Sequence, residues 1–444
     1  MTIGFADLFA GIGGFHATGS AFGWEARYVC DIDADARRIY ELNWDFEPCQ
    51  DIKTDANDFG VTVPKHDVLF AGFPCQPFSK SGKQHGMEEA RGTLFWNIAK
   101  ILEVRRPRVV LLENVPNLAG PRHRHEWEVI ISSLRELGYR VSDTPLIVSP
   151  HKVSPTFGGR PQTRSRIYIA ATFVPANLRR KYPLDAEQLN FKQFTENWEP
   201  TNWSLLKDIE IEKAPSNGSL SKLKVTDMEK YWIDAWQDFL ELMLKRRKNE
   251  KLPGFPFWAD VWLGNIKHSK NDPEWKTDFI SKNQVFYDNH KREIDSWLRR
   301  YDNLELFPPS RRKLEWQAGD NKSIWSSLIQ LRPSGIRVKK MNYVPAAVAI
   351  TQTTVVGKLK RRLSVGEVAQ LQGFPSWFSF GEQSSAKSYK QLGNGISLST
   401  SYLTLKALVE RDGEILKVTS PEIYNSVTRA PISHDLALAR LRRR

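Results

Sequence analysis

The first 173 residues are constrained most by four short, almost wholly apolar runs: Gly4–Phe9, Arg27–Asp31, Asp67–Ala71 and Arg108–Glu113. A run that is apolar at consecutive positions has both faces buried, and here helical patterns separate the runs. Such a rhythm predicts a parallel sheet covered by helices on both sides. Leu94, Ile98, Ile101 and Leu102 recur at the spacing of one buried helix face between the last two runs. Thr144–Val148 and Ile167–Thr172 read as two further strands. The loop between them is rich in Gly and Pro and too short for a helical crossover, so the second is expected to run antiparallel.

After about Pro183 the rhythm changes. Ten of the fifteen tryptophans fall between Trp198 and Trp325, among many Lys and Arg. A disordered linker would be poor in aromatics, so a second folded domain is expected here. The run Leu240–Lys251, with Lys245, Arg246, Arg247 and Lys248, reads either as a nucleic-acid patch or as a helix end with a solvated basic face. The sequence contains 64 Lys and Arg against 51 Asp and Glu, a net charge of +13. That surplus favours a polyanionic partner, nucleic acid or an anionic membrane surface. A membrane span is excluded by the lack of any sufficiently long apolar run. Met1–Trp24 carries Asp7 and no early Lys or Arg, unlike a secretory signal. Cys30, Cys49 and Cys75 leave an odd thiol and form no C-x-x-C pair. This argues for a reducing cytoplasm and against a disulfide framework or zinc site; His123 and His125 read as a solvated turn.

Phe5–Phe15 reads as a strand, a glycine turn and a helix, a form that brings backbone close to a nucleotide-like ligand. The dinucleotide fingerprint is broken, because the sixth residue counted from Gly11 is His16. Asp31 follows twenty residues later, where an acid accepts ribose hydroxyls. Asp51 and Ile52 read as the end of a third strand, in reach of an adenine edge. Together these suggest an adenosine cofactor without a diphosphate, a description that S-adenosylmethionine fits. Cys75 lies between Pro74 and Pro77 directly after a strand, near Lys80 and Lys83, a setting that favours a thiolate. Glu113 closes an apolar run, so burial is expected to raise its pKa; capping or a salt bridge is the plain alternative. Arg164 and Arg166 precede the reversed strand. At i and i+2 of an extended chain they share a face, as an oxygen clamp or as ordinary surface ion pairs.

The blocks Phe9-Ala-Gly-Ile-Gly-Gly, Gly72-Phe-Pro-Cys-Gln-Pro-Phe-Ser, Glu113-Asn-Val, Gln162-Thr-Arg-Ser-Arg, Arg362-Leu-Ser…Gln372-Gly-Phe-Pro and Gln391-Leu-Gly-Asn394 resemble, in order, those of the cytosine-5 DNA methyltransferases. The resemblance spans nearly all of residues 3–173 and 341–410. It implies a Rossmann-like S-adenosylmethionine-dependent methyltransferase sheet, mostly parallel with one antiparallel strand, and a separate smaller target-recognition domain. The implied boundaries are 1–183 for the catalytic domain, 184–375 for recognition, 376–390 for a hinge and 391–444 for a segment completing the catalytic domain and its sheet.

By the same resemblance Cys75 adds to cytosine C6, Glu113 donates to N3, Arg166 holds O2, and Arg164 positions the loop or a phosphate. Phe9, Gly11, Ile12, Gly13, Asp31, Ile32, Asp51, Ile52, Pro74, Leu94 and Asn394 are the implied cofactor contacts. Gln76, Ser79, Ser81 and Lys83 lie on a loop that closes over DNA. The implied substrate is double-stranded DNA with the target base flipped out, the product of the cofactor is S-adenosylhomocysteine, and no metal is called for. A monomer in the cytoplasm of a bacterium, with a separately encoded restriction endonuclease, completes the expectation. Three departures stand out: Asp31 for a common Glu, Gly395 for a common Ser, and Gly366 for a usual Arg. In Leu331–Lys340, Arg332 and Arg337 are candidates for contact with DNA, as base readers or as a basic loop on phosphates.

Three other readings compete with this one. A tRNA cytosine-5 methyltransferase shares the chemistry, but its Cys-Phe-Thr signature is absent, since no Cys follows Cys75. A catalytically dead DNA-binding module would not need Cys75, Glu113, Arg164 and Arg166 all intact. A nicotinamide or flavin oxidoreductase is disfavoured by the glycine spacing.

Overall fold

The computed structural model describes residues 2–74, 93–212, 219–248, 250–266, 269, 271–346 and 354–441. Two compact units result: Met1–Trp203 with Pro345–Ala349 and Val368–Arg444, and Ser204–Val344 with Ile350–Glu367.

The first unit is built on a seven-stranded sheet. Its strands are β1 (Gly4–Leu8), β2 (Glu25–Cys30), β3 (Val68–Gly72), β4 (Val109–Asn114), β5 (Tyr139–Arg140), β6 (Leu146–Val148) and β7 (Arg166–Phe173). The order is β2-β1-β3-β4-β7-β5, with β6 also paired to β7. β1 to β4 pair in parallel, while β7 is antiparallel to β4, β5 and β6. A single reversed strand therefore runs against all the others, as expected, and the connection before it holds two short 3-10 turns and no crossover helix.

Every residue of β1 and β4 is buried, which explains their continuous apolar character. On one face, α3 (Leu94–Arg105) and α4 (Arg124–Glu136) pack Ile98, Ile101, Leu102, Ile130 and Leu134 against Leu69, Val110 and Leu112; α1 (Gly14–Ala21) and α2 (Ala34–Trp44) precede them in the chain. Helix Leu398–Thr419 is also tied to this unit: Thr400 Oγ1 meets the Tyr168 hydroxyl at 2.8 Å, and Asp412 Oδ2 accepts from Thr172 at 2.7 Å. Among the described residues the C-terminal segment supplies helices and no strand. It completes the layers around the sheet, not the sheet itself.

Residues 184–203 also belong here, because Leu184 O accepts from Val141 N at 2.9 Å and Trp203 Nε1 donates to His151 O at 2.7 Å. The second unit accordingly begins at Ser204 instead of 184 and ends at Glu367 instead of 375. The expected hinge, 376–390, is held to the first unit: Asn43 Nδ2 donates to Ser379 O at 2.7 Å, and Lys387 pairs with Asp35 at 2.7 Å.

In the second unit, α5 (Asp227–Arg246), α6 (Glu274–Asn289) and α7 (Lys291–Arg300) accompany a six-stranded sheet. Its strands are β8 (Phe257–Trp258), β9 (Lys313–Gln317), β10 (Leu328–Arg332), β11 (Gly335–Lys339), β12 (Val355–Val356) and β13 (Arg361–Arg362). They lie in the order β8-β9-β11-β10-β12-β13. Trp236, Trp262 and Trp297 form an aromatic core, and each indole N–H donates to a backbone carbonyl, of Arg311, Asn283 and Ala235 respectively. Large rings are thus buried without orphaned donors. The Lys245–Lys248 run is the C-terminal end of α5, where Arg246 pairs with Glu293 at 2.9 Å.

Candidate active site

At the end of β1 the chain passes through three left-handed residues, Phe9 (φ 58°), Gly11 (φ 56°) and Gly13 (φ 90°), before entering α1. Gly11 N–H donates to Asp31 Oδ2 at 2.7 Å, and Asp33 N–H donates to Asp31 Oδ1 at 2.8 Å. One carboxylate thereby ties the ends of β1 and β2 together. Burial raises the Asp31 pKa, and the two amide donors pull it back. Each oxygen has used one acceptor position and retains another.

The two glycines differ. A Cβ at Gly13 would stand 2.0 Å from Trp44 Nε1, whereas one at Gly11 would meet nothing within 4 Å. Trp44 donates to Ile12 O at 3.1 Å and stacks on His16 at 4.6 Å, so the turn rests on an aromatic floor. Burial pushes His16 down to about 3, and it is neutral.

Asp31 N–H donates to Cys49 O at 3.1 Å, which brings the 49–52 segment beside the end of β2. Asp51 does not end a strand. It caps the short helix Ile52–Asp55, accepting from Lys53 N at 3.0 Å, with Ile52 buried beneath. Ile32 is exposed, while Phe9 and Leu94 pack on the same hydrophobic cluster. Pro74 and Asn394 are exposed, and Asn394 ends helix Ser385–Asn394.

At the end of β4, Glu113 is buried and pairs with Arg166 Nε at 2.7 Å. The antiparallel register places Glu113 opposite Tyr168 and Asn114 opposite Ile167, so the start of β7 reaches the end of β4. Burial raises the Glu113 pKa; Arg166, then Arg164, lower it. Gly72 lies beside Glu113 in register, and its lack of a side chain leaves space next to Oε2, which would be 3.7 Å from a Cβ.

Arg164 does not share a face with Arg166. It precedes the strand, is fully buried, and donates to Gly393 O at 2.9 Å and also to Gly395 O. Burial pulls its guanidinium down to about 9. Its place is that of a staple fixing the backbone on both sides of Asn394. Its own amide is held by Ser149 Oγ at 2.8 Å, a residue that sequence reasoning misses.

Asn114 fixes the backbone two residues ahead of Cys75. Its Nδ2 donates to Phe73 O at 2.9 Å, and its Oδ1 accepts from Val115 N at 2.8 Å. Asp7, fully buried in β1, is also invisible to motif and spacing. Burial first, then the Asp31 charge, raise its pKa well above the ordinary value, against a weaker pull from the His16 amide. Cys75, Gln76, Ser79, Ser81 and Lys83 lie outside the described residues.

In the second unit Arg332 and Arg337 are not on an irregular loop. They occupy the β10–β11 hairpin and both pair with Glu315 of β9, Arg337 Nε at 2.9 Å from Oε2. The alternation Ile336-Arg-Val-Lys339 is the available signal for a strand. Among the described residues no group of three or more His, Cys, Asp or Glu is placed to hold a metal, and no helix is long and apolar enough to cross a membrane.

A glycine turn tied to an acid on the neighbouring strand, in a parallel sheet closed by one reversed strand, is the Rossmann-like fold of the methyltransferases. A family model described as C-5 cytosine-specific DNA methylase matches residues 3–410, and the chain belongs to that family. It is a DNA cytosine-5-methyltransferase. Type II methyltransferase M.AluI of Cellulosimicrobium cellulans is 43% identical over 497 aligned positions, covering 95% of each chain. Type II methyltransferase M.BanI of Aneurinibacillus aneurinilyticus is 31% identical, over 90% of this chain and 94% of that protein. Type II methyltransferase M.HhaI of Haemophilus parahaemolyticus is 42% identical over 165 residues, 37% of this chain and 47% of that protein.

Proposed function

We propose that the chain methylates a specific double-stranded DNA site through a covalent adduct of Cys75, with S-adenosylmethionine as donor, as the modification half of a restriction–modification pair. The observation that carries this is the buried Glu113–Arg166 pair at 2.7 Å, next to the Phe73 carbonyl that Asn114 holds just before Cys75. A buried acid with a raised pKa and an arginine at one strand end are what an activated cytosine needs.

The donor site fits the residues present. Gly11 faces open space, Asp31 keeps acceptor capacity on a fixed carboxylate, and Asn394 lies on backbone stapled by Arg164. Asp31 would take the ribose hydroxyls, Phe9 and Ile32 would flank the adenine, and Gly11, Ile12 and Gly13 would admit the donor against backbone. Asp51, Ile52, Pro74 and Leu94 would line the remainder. When bound, the sulfonium supplies an electrophilic methyl group and leaves as the thioether S-adenosylhomocysteine.

The chain's own groups make the ring reactive. The Cys75 thiolate bonds to C6 and pushes electrons toward N3 and O2. Glu113 places its proton on N3, and Arg166 neutralises the charge on O2. C5 is then nucleophilic and takes the methyl group. Loss of the C5 proton to solvent water re-forms the 5,6 double bond as the C6–S bond breaks, returning the thiolate, and N3 returns its proton to Glu113. These atoms are buried inside a duplex, so the base must be flipped out at a cost of a few kcal/mol. Gln76, Ser79, Ser81 and Lys83 would close over the DNA, and the second unit would read the sequence.

The same chemistry would serve a tRNA substrate, but the family and the Type II relatives favour DNA. A monomer suffices, because each strand is methylated separately. The enzyme would work in a bacterial cytoplasm on the nucleoid, beside a separately encoded nuclease. The test is expression in a host lacking cytosine methylation, followed by bisulfite sequencing. One short motif methylated at one cytosine is expected; no methylation in cells or with purified protein and donor overturns the reading. DNA carrying 5-fluorocytosine should be trapped covalently, and Cys75→Ala should abolish the adduct.

A further inference from the structure

Three adjacent strands of the second unit place their half-exposed side chains in register. Glu315 of β9 stands beside Arg337 of β11, and Arg337 beside Gln330 of β10. In the neighbouring row, Lys313 and Arg332 flank Gly335. Gly335 has no side chain and a φ of 143°, and a Cβ there would crowd Lys313 at 3.1–3.3 Å. The gap it leaves lets Arg332 reach diagonally to Glu315 Oε1, while Arg337 Nε takes Oε2 at 2.9 Å. One carboxylate thus orients two guanidiniums.

The row is not closed within the protein. The Arg337 side chain is 30% exposed, and among the described residues no acceptor meets its terminal nitrogens. On this face Lys313, Arg332, Arg337 and Lys339 face a single carboxylate, Glu315, which suits an anionic duplex. A phosphate needs only positive charge, which the two lysines provide. A guanidinium held by Nε presents its two remaining nitrogens as a planar fork, the geometry that matches O6 and N7 of guanine.

We propose that Glu315 is a positioning residue that fixes Arg337 to read the major-groove edge of a guanine in the methylated site. The inference rests on the reading of the chain as a sequence-specific DNA methyltransferase, and goes beyond it in naming the base and the brace. The brace explains why Gly335 interrupts an otherwise side-chain-bearing row.

The test uses the full chain and duplexes carrying the motif mapped by bisulfite sequencing. Each guanine in turn is replaced by 7-deazaguanine, which lacks the N7 acceptor. Wild type is expected to lose about 10-fold or more in kcat/KM at one guanine, the discrimination of a bidentate arginine–guanine pair. Arg337→Ala should be indifferent to the replacement at that position. Glu315→Gln should lose most of the sensitivity there while keeping its donor affinity.

A wild type indifferent to the replacement at every guanine on either strand overturns the proposal. So does full sensitivity in Glu315→Gln, or a uniform loss that ignores sequence and so assigns the row to phosphates. Should Arg337→Ala fail to fold, Arg337→Met keeps the length of the side chain without its donors and decides the matter: retained sensitivity refutes the proposal, lost sensitivity supports it. A wild type that methylates no duplex at all refutes the proposed function instead.

Discussion

Gly11 and Gly13 lie two residues apart in the same turn, with φ values of 56° and 90°, yet alanine should expose different faults in each. Both substitutions force a side chain into the left-handed region, at about 1–2 kcal/mol. At Gly11 the added methyl meets nothing within 4 Å, so that strain is the whole cost to folding. Alanine also restricts the unfolded chain, which returns about 0.4–1 kcal/mol. The net loss at Gly11 is about 1 kcal/mol. At Gly13 the methyl would lie 2.0 Å from Trp44 Nε1, so the indole must move off the Ile12 carbonyl and away from His16. Losing that hydrogen bond adds about 1 kcal/mol, and overpacking about 1–3 more. The expected totals are therefore about 1 kcal/mol against about 3–5 kcal/mol. Urea unfolding should separate them, and calorimetric titration with S-adenosylmethionine should invert the comparison in kind. Gly11→Ala should be nearly wild type in stability and at least ten-fold weaker in donor binding, because the methyl fills the space the donor would occupy. If Gly11→Ala binds the donor normally, or costs as much stability as Gly13→Ala, the account of the turn is wrong.

Other outcomes follow from single contacts. Asn114→Ala removes the tie to Phe73 O and should destabilise by about 1–3 kcal/mol; its kcat should fall while donor Kd, measured by titration, stays constant. Arg164→Met leaves the Gly393 and Gly395 carbonyls unpaired, so melting temperature and donor affinity should fall together. Glu113 has a raised pKa, so its contribution to stability is present below the ordinary value of 4.5 and is lost as pH rises through the folded value. Its role as proton donor fails in the same direction. Single-turnover methylation by wild type should decline as pH rises through that folded value, and Glu113→Gln should lose that limb and be about 100-fold slower or worse. An unchanged limb in the variant would rule Glu113 out as the acid.

The strands that build the sheet are legible because burial on both faces leaves a continuous apolar run, as in Val109–Leu112, and the reversal of β7 is legible from a Gly- and Pro-rich connection that carries no crossover helix. Asp51 is not, because four residues around an isoleucine carry no period, and an acid at a helix start looks the same as one at a strand end. The boundary at 184 fails for a related reason. Tryptophan density marks a core but not which core, and Trp203 bonds to His151 of the first unit. Arg164 and Arg166 share a motif and a charge, yet one is buried against Gly393 and Gly395 and the other faces Glu113. Spacing puts them on one face only if the extended chain begins before Arg164, and it begins at Arg166. Asp7 and Ser149 act through partners distant in sequence or through burial itself, which no local pattern announces.

The reversed strand accounts for the chemistry as well as the topology. The eight residues Arg166–Phe173, at about 3.3 Å each, span roughly 25 Å. Were β7 parallel to β4, its first residue would lie at the opposite edge of the sheet, and Glu113 would be a buried acid with no cation in reach. Such an acid is neutral throughout the physiological range and could give up its proton only at a large cost in desolvation. With the strand reversed, Arg166 lies 2.7 Å away, so the carboxylate left by the proposed proton donation would have a cation to pair with. The same reversal brings the chain ahead of β7, with Arg164 and its hold on Gly393 and Gly395, to this edge. The residues proposed for proton transfer and those proposed to hold the donor are therefore set by one structural decision, the direction of β7.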